Sequence, residues 1–271
     1  MLAPREKPEP HLWAATDYHR FPGGRKKLAV LARLVLDEFP TRPRVLDVGC
    51  GNGAIAFPLA TLGCEVVGAD VDPGSIESCR KRNFPQASFV LTDETLHGVE
   101  GTFDLIVCSE VLEHLRDPRP LVAAMSRKLT PDGWLFVTIP NGYGLREIGG
   151  RCERFLRERC GLGGVLRALR RILERWWMPF ASAKYDMHTS NPEQEHVQKF
   201  TRREVTRLLE SERLDIVGWR NSFVIFSVFY CRSGLSMIER FDGWLADRLP
   251  AAFASGWYIS CRLSGSAGRA D

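Results

Sequence analysis

Apolar and polar positions along the chain predict strands and helices in turn. Short apolar runs bounded by glycine, proline or acidic residues predict strands over residues 44–48, 65–70, 88–91, 103–108 and 134–139. Between these runs, apolar residues at helical spacing predict helices over residues 53–62, 73–82 and 118–129. Asp72-Pro73 and Asp117-Pro118 mark the starts of the last two helices, each with an acidic cap followed by proline in the first turn. This alternation predicts right-handed crossovers and a parallel sheet.

Further elements flank this alternating block. A helix is predicted from Lys26 to Phe39, before the first strand, and Pro40 ends it. Thr201 followed three residues later by Glu204 predicts a capped helix over residues 201–210. Apolar runs at residues 214–219 and 257–263 predict the strands that close the sheet.

The first predicted strand ends in a turn rich in glycine, residues 49–53. Glycine permits positive φ and close approach of a ligand to the backbone. The helix that follows presents unpaired N–H groups and the positive end of its dipole. The second strand ends in Asp70, whose carboxylate can accept hydrogen bonds from ribose hydroxyls. Together these features predict a site for a nucleoside-containing cofactor.

The wider motif pattern resembles the class I S-adenosylmethionine-dependent methyltransferases across residues 44–141. The segments, in order, are VLDVGCGNG, VVGADVDPGSIESCR, LTDE, FDLIVCSEVLEHLRDP and LTPDGWLFVTIPN. The resemblance is closest to the branch that contains the ubiquinone-biosynthesis O-methyltransferases, which carry a similar S-E-V-L-E-H segment. A dinucleotide dehydrogenase fits less well, because Ala54-Ile55-Ala56 supplies no third glycine for a pyrophosphate.

This resemblance implies a fold and a domain organisation. The implied fold is an α/β, Rossmann-like seven-stranded sheet with helices on both faces and helical insertions that form a lid. The expected parts are an N-terminal arm and helix (1–43), the S-adenosylmethionine-binding core (44–141), an Arg-rich helical insert (142–200) and the C-terminal part of the core (201–271) with an amphipathic insertion at 222–250.

The resemblance also implies which residues contact the cofactor. Asp47 is expected to hold its methionine end, Asp70 its ribose hydroxyls, and Val71 its adenine ring. Asp93 or its neighbour Glu94 is expected to meet the adenine amino group. The complete predicted set is Asp47, Gly49, Gly51, Asn52, Gly53, Asp70, Val71, Asp93, Glu94 and Ser109.

Methyl transfer to a hydroxyl requires alignment and removal of a proton from a weak nucleophile. Ser109 and Glu110 follow the fourth strand, where the reactive end of the cofactor is expected. The predicted catalytic residues are His114 and Glu110. On a helix, Glu110, Glu113 and His114 would share one face and could hold Mg²⁺, as related O-methyltransferases do. Two alternatives stay open: His114 alone as general base, or Glu113 and His114 as residues that only brace the loop.

Charge is concentrated in the predicted insert. The chain carries +4 in total, whereas residues 146–175 contain nine Arg and four Glu. Apolar residues recur at helical spacing over 162–177 and again over 237–249. Such helices either pack on the domain as a lid or lie on an anionic membrane. The expected acceptor is a small or lipophilic metabolite. The alternatives are an RNA-modifying methyltransferase and a non-catalytic cofactor-binding partner subunit.

Cysteine content and apolar run length suggest a location. The eight Cys form no C-x-x-C pair and the start of the chain shows no signal-peptide pattern, so reduced thiols and a cytoplasmic protein are expected. No apolar run reaches the ~18 residues that span a bilayer. Any membrane contact is therefore expected to be peripheral, at the inner face of the membrane. Nucleic acid is a weaker partner, because no recognised module accompanies the modest charge.

Overall fold

Seven strands form a single sheet in a computed structural model of the chain, which describes residues 22–144, 197–224 and 236–265 and the isolated positions 155, 159 and 164. The sheet order is β3-β2-β1-β4-β5-β7-β6. The strands are β1 Arg44–Val48, β2 Glu65–Asp70, β3 Ala87–Leu91, β4 Phe103–Ser109, β5 Leu129–Pro140, β6 Leu214–Asn221 and β7 Gly256–Leu263. The expected seven-stranded α/β sheet is thus confirmed.

The helices lie close to their predicted positions. They are α1 Pro22–Glu38, α2 Ala56–Thr61, α3 Pro73–Lys81, α4 Arg119–Lys128, α5 Arg202–Ser211 and α6 Ser236–Ala246. Asp72 caps α3 by accepting from the N–H groups of Gly74 and Ser75. Thr201 and Glu204 form the predicted capping box of α5. These caps confirm the helix starts that the sequence indicated.

Two predicted helix starts are displaced. Helix α2 begins at Ala56 instead of residue 53, because Gly53 belongs to the preceding turn and has φ of +79°. Helix α4 begins at Arg119, with Pro118 in the cap position. Asp117 lies one residue before the cap, and its carboxylate accepts from the Arg119 N–H at 3.2 Å and from the Arg119 guanidinium at 2.8 Å.

The sheet is parallel over the alternating block, as predicted, and antiparallel at one strand beyond it. The pairs among β1, β2, β3, β4 and β5 are parallel, whereas β7 runs antiparallel to both of its neighbours, β5 and β6. Because β1 to β5 run in the same direction, their carboxyl ends lie together at one edge.

Helices cover both faces of the sheet, as predicted. On one face, α1, α2 and α3 bury residues such as Leu31, Phe57 and Ile76. On the other face, α4 and α5 bury residues such as Val122 and Leu209. Two apolar layers thereby fix the sheet, and the turns at its carboxyl edge are left to carry polar groups.

Several sequence predictions concern residues outside the described ranges. The arm before residue 22, the Arg-rich stretch 146–175 and the apolar stripe at 162–177 fall almost entirely there. The second stripe does form a helix, α6, whose Phe241 and Trp244 side chains are exposed and stack on each other. Within the described residues, no helix has the length and apolar character needed to cross a membrane.

Candidate functional site

The glycine turn and Asp70 form one hydrogen-bonded unit at the carboxyl edge. The N–H of Gly51 donates to Oδ2 of Asp70 at 2.7 Å, and the N–H of Asp72 donates to Oδ1 at 2.9 Å. Gly49 and Cys50 both donate backbone hydrogen bonds to the Ala69 carbonyl. Asp70 itself is 8% exposed. Its carboxylate is therefore fixed in place, and each oxygen keeps a lone pair for a ligand.

Two of the glycines are required by space as well as by conformation. Gly49 and Gly53 have φ of +69° and +79°. A Cβ atom on Gly49 would collide with the Val111 side chain, and one on Gly53 would collide with the Phe57 ring. The predicted turn residue between them, Asn52, is exposed. The turn thus brings the backbone close to neighbouring elements and leaves its outer side open.

Asp47 is a buried acid beneath this turn. It is 1% exposed, and its Oδ2 atom has no hydrogen-bond partner among the residues that the structure describes. Burial, together with the negative charge of Asp70, raises the pKa of Asp47 to about 7, and the Ala56 N–H and Lys27 oppose this rise. A buried carboxyl with an unpartnered oxygen is costly unless a cation or donor is bound there. Asp47 is therefore suited to meet a positively charged group of a ligand.

Lys27, from α1, brings a buried ammonium group to the same region. The residue is 5% exposed, and its Nζ atom donates to Ser109 Oγ at 2.7 Å. Nζ also lies 3.5 Å from the Glu110 carboxylate. No sequence pattern marks Lys27 as a site residue, because it is one of two adjacent lysines in an amphipathic helix. Only the tertiary structure shows which of the two points towards the sheet.

A hydroxyl network fixes Glu110 at the end of β4. Thr138, fully buried in β5, donates to Glu110 Oε1 at 2.8 Å and lies 2.9 Å from Ser109 Oγ. The Glu110 N–H donates to the Thr138 carbonyl, and Glu110 adopts φ of +57°. A left-handed conformation is unfavourable for glutamate, and such strain clusters at functional sites. The structure thus brings together the predicted residues Ser109 and Glu110.

The opposite end of the site presents apolar and acidic groups. Val71 is 54% exposed, which is consistent with the predicted packing against a flat ring. Asp93 accepts at Oδ1 from the Thr95 N–H and hydroxyl and the His97 N–H, and these bonds lower its pKa. Glu94, its neighbour, is exposed. The choice between Asp93 and Glu94 stays a prediction, although Asp93 is already held by its own loop.

The prediction that Glu110, Glu113 and His114 share a helix face is wrong. Only Leu112–His114 is helical, as a single 3-10 turn, and Glu110 precedes it in a left-handed conformation. Glu113 is 1% exposed, and burial together with the charge of Glu110 raises its pKa to about 9. Across the described parts of the chain, no three His, Cys, Asp or Glu side chains are grouped as metal ligands. The residues therefore do not fit the predicted Mg²⁺ site, which would require ionised oxygen ligands.

Glu113 and its neighbours instead hold Val197 and Gln198. The carbonyl oxygen of Glu113 accepts from the N–H groups of Val197 and Gln198, at 3.0 and 3.2 Å. The Gln198 amide donates to the carbonyls of Leu112 and Leu115. These bonds favour the bracing interpretation of this turn. His114 lies beside it, with Nε2 3.9 Å from Glu113 Oε1.

The chain is similar in sequence to known proteins. A family model described as "Methyltransferase domain" matches residues 18–217. A ubiquinone biosynthesis O-methyltransferase of Xanthomonas oryzae pv. oryzae is 35% identical over 143 residues, which cover 47% of this chain and 59% of that relative. The chain therefore matches less than two thirds of the length of this relative.

Solved structures share the fold at low sequence identity. An S-adenosylmethionine-dependent methyltransferase from Clostridium acetobutylicum superposes with a TM-score of 0.56 at 12% identity, covering 93% of this chain and 94% of that chain. A magnesium protoporphyrin IX methyltransferase from Synechocystis with bound SAH gives 0.52 at 14% identity, covering 89% and 84%. These similarities establish the fold.

Proposed function

The chain belongs to the methyltransferase domain family, and we propose that it transfers a methyl group from S-adenosylmethionine to a hydroxyl oxygen of a small or lipophilic metabolite. The observation that carries this proposal is the Asp70 carboxylate, which is fixed by the Gly51 and Asp72 N–H groups directly beside the glycine turn. The name of the Xanthomonas relative supports an oxygen acceptor.

Charges in the site suit the parts of S-adenosylmethionine. Asp70 offers remaining lone pairs to the ribose hydroxyls, and the exposed Val71 side chain offers an apolar surface to the adenine ring. The methionine part carries an ammonium and a carboxylate. The unpartnered oxygen of Asp47 suits the ammonium, and the Lys27 ammonium suits the carboxylate. When bound, S-adenosylmethionine supplies a methyl group on a positively charged sulfur.

Two residues at the carboxyl edge are proposed to handle the acceptor proton. Glu110 keeps a carboxylate that is 45% exposed while Thr138 and Lys27 hold it in place. His114, whose side chain is 21% exposed, lies one turn further along the chain. Either group can accept a proton from a hydroxyl positioned at this edge. Among the residues that the structure describes, Glu110, Glu113 and His114 do not converge as metal ligands, so the proton transfer is assigned to Glu110 or His114 alone.

Calorimetry with S-adenosylmethionine tests cofactor binding. The wild type is expected to bind at micromolar level, and Asp70→Asn to lose about tenfold or more in affinity, because a neutral amide is a weaker acceptor. Asp132→Asn is the matched control, since Asp132 is an exposed acid near the start of β5, at the opposite edge of the sheet. Absence of binding by the wild type would contradict the proposal.

Transfer is tested with methyl-labelled S-adenosylmethionine and metabolite extracts. We expect label on a lipophilic product, attached through oxygen. Glu110→Gln and His114→Ala then separate the two proposed bases: the variant of the true base lowers kcat and retains cofactor affinity. Label found on RNA or on no acceptor would replace this proposal with one of the alternatives.

A further inference from the structure

Two buried thiols lie together behind the glycine turn. Cys50 is part of the turn, and Cys79 lies near the end of α3; they are 5% and 1% exposed. Each thiol is close enough to shift the pKa of the other. Both also lie near the Gly51 carbonyl oxygen, Cys79 Sγ at 3.3 Å and Cys50 Sγ at 3.9 Å. We refer to these two residues as the thiol pair.

The environment divides the roles of the two sulfur atoms. The neighbouring Cys79 thiol, together with burial, raises the pKa of Cys50, so that Cys50 keeps its proton. The neighbouring Cys50 thiol and the positive charge of Arg82 lower the pKa of Cys79, and burial opposes this shift. Because the thiolate is the nucleophilic form, Cys79 is the member of the pair that reacts first with an electrophile.

A cavity beside Cys79 can hold a small oxidant. It has a volume of about 260 Å³, lies between the end of α3 and strand β3 and is lined by Cys79, Arg80 and Phe84 among others. A water molecule occupies roughly 30 Å³ of liquid, so a small hydroperoxide fits in this space. Because Cys79 is 1% exposed, such an oxidant would meet the thiol pair from this cavity and not from bulk solvent.

We propose that a hydroperoxide oxidises Cys50 and Cys79 to a disulfide that weakens cofactor binding. The Cys79 thiolate attacks one peroxide oxygen, the O–O bond breaks, and the other oxygen leaves as an alcohol, or as water from hydrogen peroxide, after taking a proton. The sulfur of Cys50 then attacks the resulting sulfenic acid and displaces water. Two thiols and one hydroperoxide give one disulfide, one alcohol and one water.

The effect on binding follows from the position of Cys50. Cys50 immediately precedes Gly51, whose N–H fixes the Asp70 carboxylate at 2.7 Å. Drawing the Cys50 sulfur to bonding distance of α3 moves this N–H away from Asp70. The effect on S-adenosylmethionine rests on the proposed function, whereas the disulfide itself does not. By linkage, bound S-adenosylmethionine should slow the oxidation.

Peptide mapping of the full chain is the test. Cys152, Cys160 and Cys231 lie outside the described residues and are first replaced by Ser, so that other pairings do not confuse the result. Hydrogen peroxide is expected to produce a crosslinked Cys50–Cys79 peptide that dithiothreitol removes. In parallel, calorimetry should show S-adenosylmethionine affinity falling about tenfold or more and recovering on reduction.

Matched variants make the test specific. Cys79→Ser, with Cys79→Ala as a second choice if folding suffers, should abolish the crosslink and the peroxide response. Cys64→Ser should keep both, because Cys64 is equally buried and lies outside the thiol pair. Absence of the crosslink, or a crosslink without loss of affinity, would overturn the proposed switch. A reduced protein that does not bind S-adenosylmethionine would overturn the proposed function instead, and mapping would still decide whether the disulfide forms.

Discussion

Lys27 donates from Nζ to Oγ of Ser109 over 2.7 Å, joining helix α1 to the carboxyl end of strand β4 across 82 positions of sequence. The contact places a buried positive charge beside Glu110 and within the electrostatic range of Asp47. In an environment shielded from water, such a charge interacts more strongly than at the surface. The N-terminal helix therefore contributes directly to the proposed cofactor site.

Replacing Lys27 with Gln should weaken S-adenosylmethionine binding by about 10- to 100-fold, because a charge-assisted contact of about 1.5–3 kcal/mol is lost. Calorimetry measures this change. Arg33→Gln removes a cation from the exposed side of the same helix, where its side chain is 73% exposed, and should leave affinity unchanged. Equal affinities for wild type and Lys27→Gln would contradict a role for Lys27 in the site.

Binding of S-adenosylmethionine should be coupled to ionisation of Asp47. The pKa of Asp47 is raised to about 7, so near neutral pH a cationic ligand has to displace a proton. Affinity should therefore rise between about pH 6 and pH 8, and calorimetry in buffers of different ionisation enthalpy should detect proton release. Asp47→Asn should bind more weakly and release no proton. A wild-type affinity independent of pH would argue against this coupling.

Gly49→Ala should destabilise the protein more than Gly98→Ala. Both glycines have positive φ, +69° and +79°, so each substitution carries about 1–2 kcal/mol of backbone strain. Only at Gly49 does the new Cβ also collide with Val111; at Gly98 the nearest atoms lie 4.0 Å away. An additional cost of about 1–3 kcal/mol is expected from overpacking. Urea denaturation of the two variants measures the difference, and equal losses would refute the steric contribution.

Glu113→Gln should remove a pH-dependent loss of stability. The pKa of Glu113 is raised from 4.5 to about 9, so the folded protein binds a proton that the unfolded chain releases, and stability falls as pH rises between these values. At high pH the variant should therefore be more stable than the wild type. Glu94→Gln, at an exposed site, serves as the control. Denaturation at neutral and alkaline pH measures the change.

Chelation should leave the protein unaffected, because Glu113 is buried as a neutral acid and Glu110 is bound to Lys27. Melting temperature and S-adenosylmethionine affinity are expected to be the same before and after dialysis against EDTA. A loss that Mg²⁺ restores, and that Glu113→Gln reproduces, would revive the metal site that the sequence suggested.

The sequence by itself determined the local features of this protein. Residues 44–70 contain a strand, a glycine turn and a second strand that ends in Asp70, and short-range chemistry suffices to predict their geometry, since φ preference and burial act within a few residues. The caps at Asp72 and Thr201 were predictable for the same reason.

Only the tertiary structure decided which charges face each other. Three features depend on packing between residues distant in sequence. They are the reversed direction of β7, the inward turn of Lys27 in preference to Lys26, and the separation of Glu110 from Glu113. A motif such as S-E-V-L-E-H has the same spacing whether it folds as a long helix or as a single 3-10 turn. The burial that neutralises Glu113 arises only when the sheet, Val197 and Gln198 close around it.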